Sequence, residues 1–206
     1  MTGLQGVAVL LAPGASAGRD QPALVAMDEA LRPVPVERMD FPYRKAGRRA
    51  PDRAPVLLQA VRDEAAALAA RTGLPPHRLV LGGRSMGGRI CSLAVADGLG
   101  ALALVLVSYP LHPPGRPERL RTEHFPSLDL PCLFVSGTRD AFGSPAELEA
   151  ATAAIPGPVT HAWIDGGDHG LRGKDAPVAA AVREFVLAVS SGQGGPPLEA
   201  GARPRD

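Results

Sequence analysis

Leu79-Val80-Leu81-Gly82-Gly83-Arg84-Ser85-Met86-Gly87-Gly88-Arg89-Ile90 is the stretch on which the reading of this chain turns. It opens with a short apolar run, which predicts a buried strand. Gly83 to Gly87 then spells G-x-S-x-G, and Ile90 to Ala96 predicts a helix closed by Asp97-Gly98. A strand, a tight turn around a serine and a helix form the context of a nucleophile elbow. A side chain at Gly83 or Gly87 is expected to collide with the adjacent strand and helix, and the serine backbone is expected to be strained. Such a turn lifts the Ser85 hydroxyl above the sheet edge, at the positive end of the helix. The same pattern also serves as a plain tight turn or a phosphate-binding turn. The flanking elements and the residues downstream therefore carry the argument.

The 206 residues suit one α/β domain, large enough to bury a core without disulfides or metals. A net charge of +1 points to neither nucleic acid nor an anionic membrane surface. Cys91 and Cys132 fall in apolar segments and read as buried thiols. No disulfide framework or C-x-x-C pattern is present, so neither a metal nor a cofactor is expected. No basic segment precedes the first apolar run, Pro13-Gly14 ends that run quickly, and no stretch is long enough to span a bilayer. The expectation is a cytoplasmic protein without a signal peptide, in a reducing setting.

Strands are predicted at Val7 to Ala12, Val34 to Met39, Leu79 to the elbow, Leu102 to Ser108, Cys132 to Gly137 and Thr160 to Ile164. Pro35 places the second at a sheet edge. Helices are predicted from about Gln21 to Leu31 with Asp20 as cap, Ala54 to Arg71, after the elbow, Pro145 to Ala154 and Pro177 to Val189. Phe41 to Arg49 reads as a basic loop. Tyr109 to Asp129 reads as an irregular, proline-rich connection. Residues 1–189 are expected to be a single domain and 190–206 a disordered tail. Alternating strands and helices imply a parallel sheet with helices on both faces, and ligands beyond the carboxyl ends of its strands.

Ser85, Asp140 and His169 each follow a predicted strand, in the order nucleophile, acid, histidine. In this order and context the chain resembles the α/β-hydrolase superfamily. More narrowly it resembles a small branch labelled dienelactone-hydrolase-like. The shared features are Phe41-Pro42-Tyr43 with Gly47-Arg48-Arg49, the elbow through Arg89, Ser108-Tyr109-Pro110-Leu111, Gly137-Thr138-Arg139-Asp140 and Asp168-His169. The resemblance covers nearly all of residues 5 to 189. It implies a three-layer, mainly parallel six-stranded sheet with no cap domain, in strand order second, first, third, fourth, fifth, sixth. It leaves two strands that usually precede the first without a counterpart in this sequence. Where the superfamily reads His-Gly after the first strand, this chain reads Pro13-Gly14. Dienelactone hydrolases proper use a cysteine, whereas the elbow here holds serine, so their substrate does not transfer.

A catalytic triad of Ser85, His169 and Asp140 follows as the expectation, with His169 as base and Asp140 orienting it. His112 and His124 are rival bases; Asp165 is the alternative acid. Asp140 also fits a turn, Asp168 sits too close in sequence to orient its neighbour, and His77 and His161 read as structural. The backbone N–H groups of Ala15 and Met86 are assigned to an oxyanion hole. Arg84 is a candidate substrate contact or a structural ion pair, and Tyr109 a candidate pocket residue or a packing one. The basic run Arg44, Lys45, Arg48, Arg49, Arg53 reads as solvated. The function expected is a serine esterase or thioesterase acting on a small molecule, with oligomeric state open. The alternatives are a non-catalytic interaction module on the same fold, as in a chromatin-complex subunit of the branch, and a short-peptide peptidase. Truncation after Ser191 is expected to leave melting temperature and activity unchanged, since the remainder lacks apolar residues to pack. A clear drop in thermal melting or in turnover would show that the tail docks.

Overall fold

The computed structural model describes residues 6–192. Four apolar runs become strands buried along nearly their whole length: β1 (Ala8–Ala12), β3 (Leu79–Arg84), β4 (Ala103–Val107) and β5 (Cys132–Gly137). Burial on both faces is what a parallel strand covered by helices requires. The half-buried β2 (Val36–Arg38) and β6 (Val159–Ile164) close the two edges. All pairings are parallel, in the order β2-β1-β3-β4-β5-β6. This is the order, and the layered fold, that the resemblance implies. No separate cap domain is inserted; the connection from β4 to β5 holds only a 3₁₀ turn at Phe125–Ser127.

Successive strand side chains point to opposite faces, and the core divides accordingly. Leu10, Leu81, Leu104, Leu106 and Phe134 pack on one side against α3 (Ala54–Thr72), α4 (Met86–Ala96) and α5 (Pro145–Thr152). Val9, Leu11, Val80, Val105 and Val135 pack on the other against α1 (Pro22–Leu31) and α6 (Asp175–Ser190). Cys91 and Cys132 are buried free thiols, and burial pushes both up to about 12. No described helix is long and apolar enough to cross a membrane.

The turn between β3 and α4 shows why its glycines are needed. A Cβ at Gly83, which has φ +150°, would overlap the Ala12 backbone, and one at Gly87 would overlap the Ala12 and Pro13 backbones. The clash is thus with the end of β1. Ser85 itself has φ 51° and ψ −117°, and its N–H donates to the Val107 carbonyl at 2.8 Å. A non-glycine residue held there stores about 1–3 kcal/mol of strain.

Three local expectations are corrected. Phe41 to Arg49 is no simple solvated loop: Pro42–Lys45 forms the single turn α2, and Phe41 and Tyr43 are fully buried. Asp20 does not cap α1; its carboxylate pairs with Arg38 Nη1 at 2.9 Å, and the N-cap is Gln21, whose side chain makes no bond to the first turn of the helix. Helix α6 runs through Ser190, into the segment assigned to the tail. Residues 193–206, the rest of that assignment, lie outside the described residues.

One polar pair sits inside the layer under α4. Ser92 Oγ lies 2.8 Å from His124 Nε2, with both residues buried. Burial, aided by the nearby Arg89 charge, pushes the imidazole down from an ordinary 6.5 to about 4. Between those values the unfolded chain binds a proton that the native one does not. Stability therefore holds above about pH 6.5 and falls as the pH drops toward about 4. Equilibrium urea unfolding across this window should show a shallower loss in His124→Gln than in the wild type. Equal slopes would remove His124 from the linkage.

Candidate active site

Three strand ends on the carboxyl edge of the sheet bring Ser85, Asp140 and His169 together. Ser85 follows β3, Asp140 follows β5 and His169 follows β6. Ser85 Oγ is 2.9 Å from His169 Nε2. His169 Nδ1 is 2.8 Å from Asp140 Oδ2 and 3.0 Å from Oδ1. A carboxylate only accepts, so Nδ1 carries the proton and Nε2 is free to accept from the serine hydroxyl. The Asp140 side chain is 1% exposed and the His169 side chain 20%. A buried carboxylate faces an imidazole that solvent can still reach.

Backbone bonds hold this geometry. The Arg139 N–H donates to the Gly167 carbonyl at 2.8 Å, joining the acid loop to the histidine loop. Asp140 Oδ1 also accepts the Phe142 N–H at 2.8 Å. The Phe142 ring then stacks on the His169 ring, with centroids 3.9 Å apart and planes at 26°. Sequence reasoning missed Phe142. Its place two residues after an acid that follows a strand was the available signal.

Two side chains fasten the loop after β1. The Gly14 N–H donates to Gln21 Oε1 at 3.1 Å, and the Tyr43 hydroxyl donates to the Ala15 carbonyl at 2.7 Å. Tyr43 is buried, and burial raises its pKa. The Ala15 N–H has no acceptor among the described residues. Neither does the Met86 N–H, the first of α4. A first-turn N–H of a helix has no partner within the helix.

The rivals are placed elsewhere. His124 is paired with Ser92, and His112 Nδ1 lies against the Pro113 carbonyl at 2.9 Å. His161 Nε2 is 3.0 Å from Thr152 Oγ1. Asp165 meets Thr138 Oγ1 at 3.5 Å, and Asp168 accepts the Leu171 N–H at 2.9 Å. Neither carboxylate bonds to the His169 imidazole, whose partners are Asp140 and Ser85.

Arg84 and Tyr109 both make contacts inside the protein. Arg84 Nη2 donates to the His169 carbonyl at 2.5 Å. Burial lowers its pKa against the raising fields of Asp140, Asp168 and Asp175. The guanidinium thus ties the elbow strand to the histidine loop. Tyr109 is 1% exposed and packs its ring on Phe125 and Phe134, as the packing alternative describes. A surface cleft bounded by Gly18, Arg19, Asp20, Gln21, Asp40 and Arg44 includes none of Ser85, Asp140 and His169.

Residues 5–182 match the alpha/beta hydrolase domain family. Over 70 residues the chain is 39% identical to pimeloyl-(acyl-carrier protein) methyl ester esterase of Stenotrophomonas maltophilia. That stretch covers 34% of this chain and 27% of the enzyme, so the match spans about a quarter of the curated relative's length. The fold is similar to that of Est1E from Butyrivibrio proteoclasticus, with a TM-score of 0.72, 17% identity and coverage of 91% of this chain and 90% of that one. Dienelactone hydrolase from Anabaena variabilis also aligns, with a TM-score of 0.65, 18% identity and coverage of 86% and 83%. At these identities the structural likeness speaks for the fold alone. The sheet order, the strained elbow and a family match over most of the sequence lead to one conclusion: the chain belongs to the alpha/beta hydrolase domain family.

Proposed function

We propose that the protein is a serine hydrolase that cleaves carboxylic ester or thioester bonds of a small substrate through an acyl-enzyme. One observation carries this reading: the unbroken relay from Ser85 Oγ to His169 Nε2 at 2.9 Å and from His169 Nδ1 to Asp140 Oδ2 at 2.8 Å. A serine hydroxyl is a weak nucleophile until a base takes its proton during attack. In this reading His169 takes it as Ser85 Oγ bonds to the carbonyl carbon, and Asp140 stabilises the imidazolium. The carbonyl oxygen becomes an oxyanion held by the Ala15 and Met86 N–H groups. Collapse breaks the bond to the leaving alkoxide or thiolate, which receives the proton from His169. Water then attacks the acyl-Ser85 ester by the same base and releases the acid. The curated relative's activity on a methyl ester fits the same bond class.

A fluorophosphonate imitates the tetrahedral intermediate and labels a serine only where base and oxyanion donors are both in place. Mass spectrometry should find one label, on Ser85, and none in Ser85→Ala. That variant should fold at least as well as the parent, because active sites trade stability for function. His169→Ala should abolish turnover of short esters. Asp140→Asn should lower kcat by roughly 10⁴-fold, as in the protease triad. A well-folded wild type that neither takes the label nor hydrolyses any ester across neutral pH would overturn the reading in favour of the interaction module.

The Tyr43 hydroxyl gives a separate test of the Ala15 loop. Tyr43→Phe removes a bond with a net worth of about 1 kcal/mol, so melting temperature should fall only slightly. Labelling and kcat should fall roughly tenfold if the Ala15 N–H must be aimed at the oxyanion. Unchanged kinetics would remove Ala15 from the oxyanion hole.

A further inference from the structure

Phe142 touches both partners of the Ser85 relay. Its N–H donates to Asp140 Oδ1 at 2.8 Å, and its ring lies on the His169 ring with centroids 3.9 Å apart and planes at 26°. The loop that carries it is fastened from behind. The His112 N–H donates to the Phe142 carbonyl at 3.1 Å, and the Gly143 N–H donates to the Asp140 carbonyl at 3.4 Å. Gly143 approaches Leu111 so closely that a Cβ there would lie 2.9 Å from Leu111 Cβ. Leu111 and His112 are both buried, so the loop rests on a fixed support. Phe142 itself is half-buried.

The hydrogen bonds of His169 leave one freedom open. Nδ1 bonds to Asp140 and Nε2 to Ser85. A ring nitrogen donates or accepts in the plane of its ring. Two such bonds hold the imidazole at two points and let it tilt about the line that joins them. A flat surface against one face stops that tilt, and the Phe142 ring is such a surface. The need grows once Ser85 is acylated. Its Oγ then belongs to the ester and no longer donates to Nε2. Asp140 and the ring beside it are left to hold the base that must accept a proton from water.

We propose that Phe142 is a positioning residue for the reaction: its ring keeps the imidazole plane on the line from Asp140 to Ser85, and holds it there in the acyl-enzyme. The reaction it serves rests on the serine-hydrolase reading; the hold on the imidazole does not.

Two substitutions isolate the ring, because neither alters the backbone N–H that bonds to Asp140. Phe142→Leu keeps apolar bulk without a flat face, and Phe142→Tyr keeps the face. With para-nitrophenyl butyrate, Phe142→Leu should lower kcat about tenfold or more with KM unchanged or lower, the scale of a misplaced reacting group. Phe142→Tyr should stay within about twofold of wild type, since a phenol stacks as a phenyl does. Equal losses in the two variants, no loss in Phe142→Leu, or a loss confined to KM would overturn the proposal. Circular dichroism checks each fold; if Phe142→Leu does not fold, Phe142→Met takes its place, as it too lacks a flat face.

Proton NMR of Ser85→Ala needs no turnover, and this variant has lost the serine bond as the acyl-enzyme has. Its His169 Nδ1 proton, bonded to the buried Asp140, should give a far-downfield resonance sheltered from exchange with water. Adding Phe142→Leu should broaden or remove the resonance, and adding Phe142→Tyr should leave it. A resonance equally sharp with leucine, or absent from Ser85→Ala itself, would overturn the proposal. An inert wild type whose resonance still depends on an aromatic ring at this position would sink the hydrolase reading and keep the hold of Phe142 on His169.

Discussion

The contact between the elbow and the end of β1 governs the rest of the molecule. The Ala12 and Pro13 backbones press against Gly83 and Gly87 so closely that no Cβ fits at either position. That approach sets β1 beside β3, where the order of the sheet reverses. It forces Ser85 into a positive-φ conformation at the first turn of α4 and leaves the Met86 N–H without a helical partner. It also holds the start of the loop carrying Ala15 against the first turn of α4. The strain is local, and the buried strands on either side hold it in place.

Around this contact, loops from distant parts of the chain are tied to one another by backbone groups. Arg139 bonds to Gly167, Arg84 bonds to His169, and Phe142 stacks on the imidazole. Each contact removes freedom from the loops that carry Ser85, Asp140 and His169. The β1 loop shows the same need met by different residues. It lacks the usual histidine, yet Gln21 and the buried Tyr43 fasten Gly14 and Ala15. Phe41 and Tyr43 fold inward from a segment otherwise rich in arginine and lysine.

The molecule treats its charges in two ways near Ser85. Asp140 is buried but satisfied, by His169 and by the Phe142 N–H. Arg89 is partly buried, and its Nε has no partner. In a folded protein a buried polar group without a partner calls for an account.

Much of this was legible in the chain itself. Continuous apolar runs gave the buried strands, because a parallel strand covered on both faces has no polar side to show. The glycines of the G-x-S-x-G turn and the order Ser85, Asp140, His169 gave the elbow and its partners, because each is a local pattern at a strand end. What the sequence left open were contacts between residues far apart along the chain. Asp140, Asp165 and Asp168 all sit in loops of similar composition; the pairing of β5 with β6 and the Arg139–Gly167 bond decide that Asp140 meets His169. Tyr109 follows β4 with its ring in the core, and Arg84 adjoins Ser85 with its side chain on the histidine loop. Local patterns establish which backbone conformations a segment takes. Only the packed sheet decides which side chains then come within the three ångströms or so over which a hydrogen bond acts.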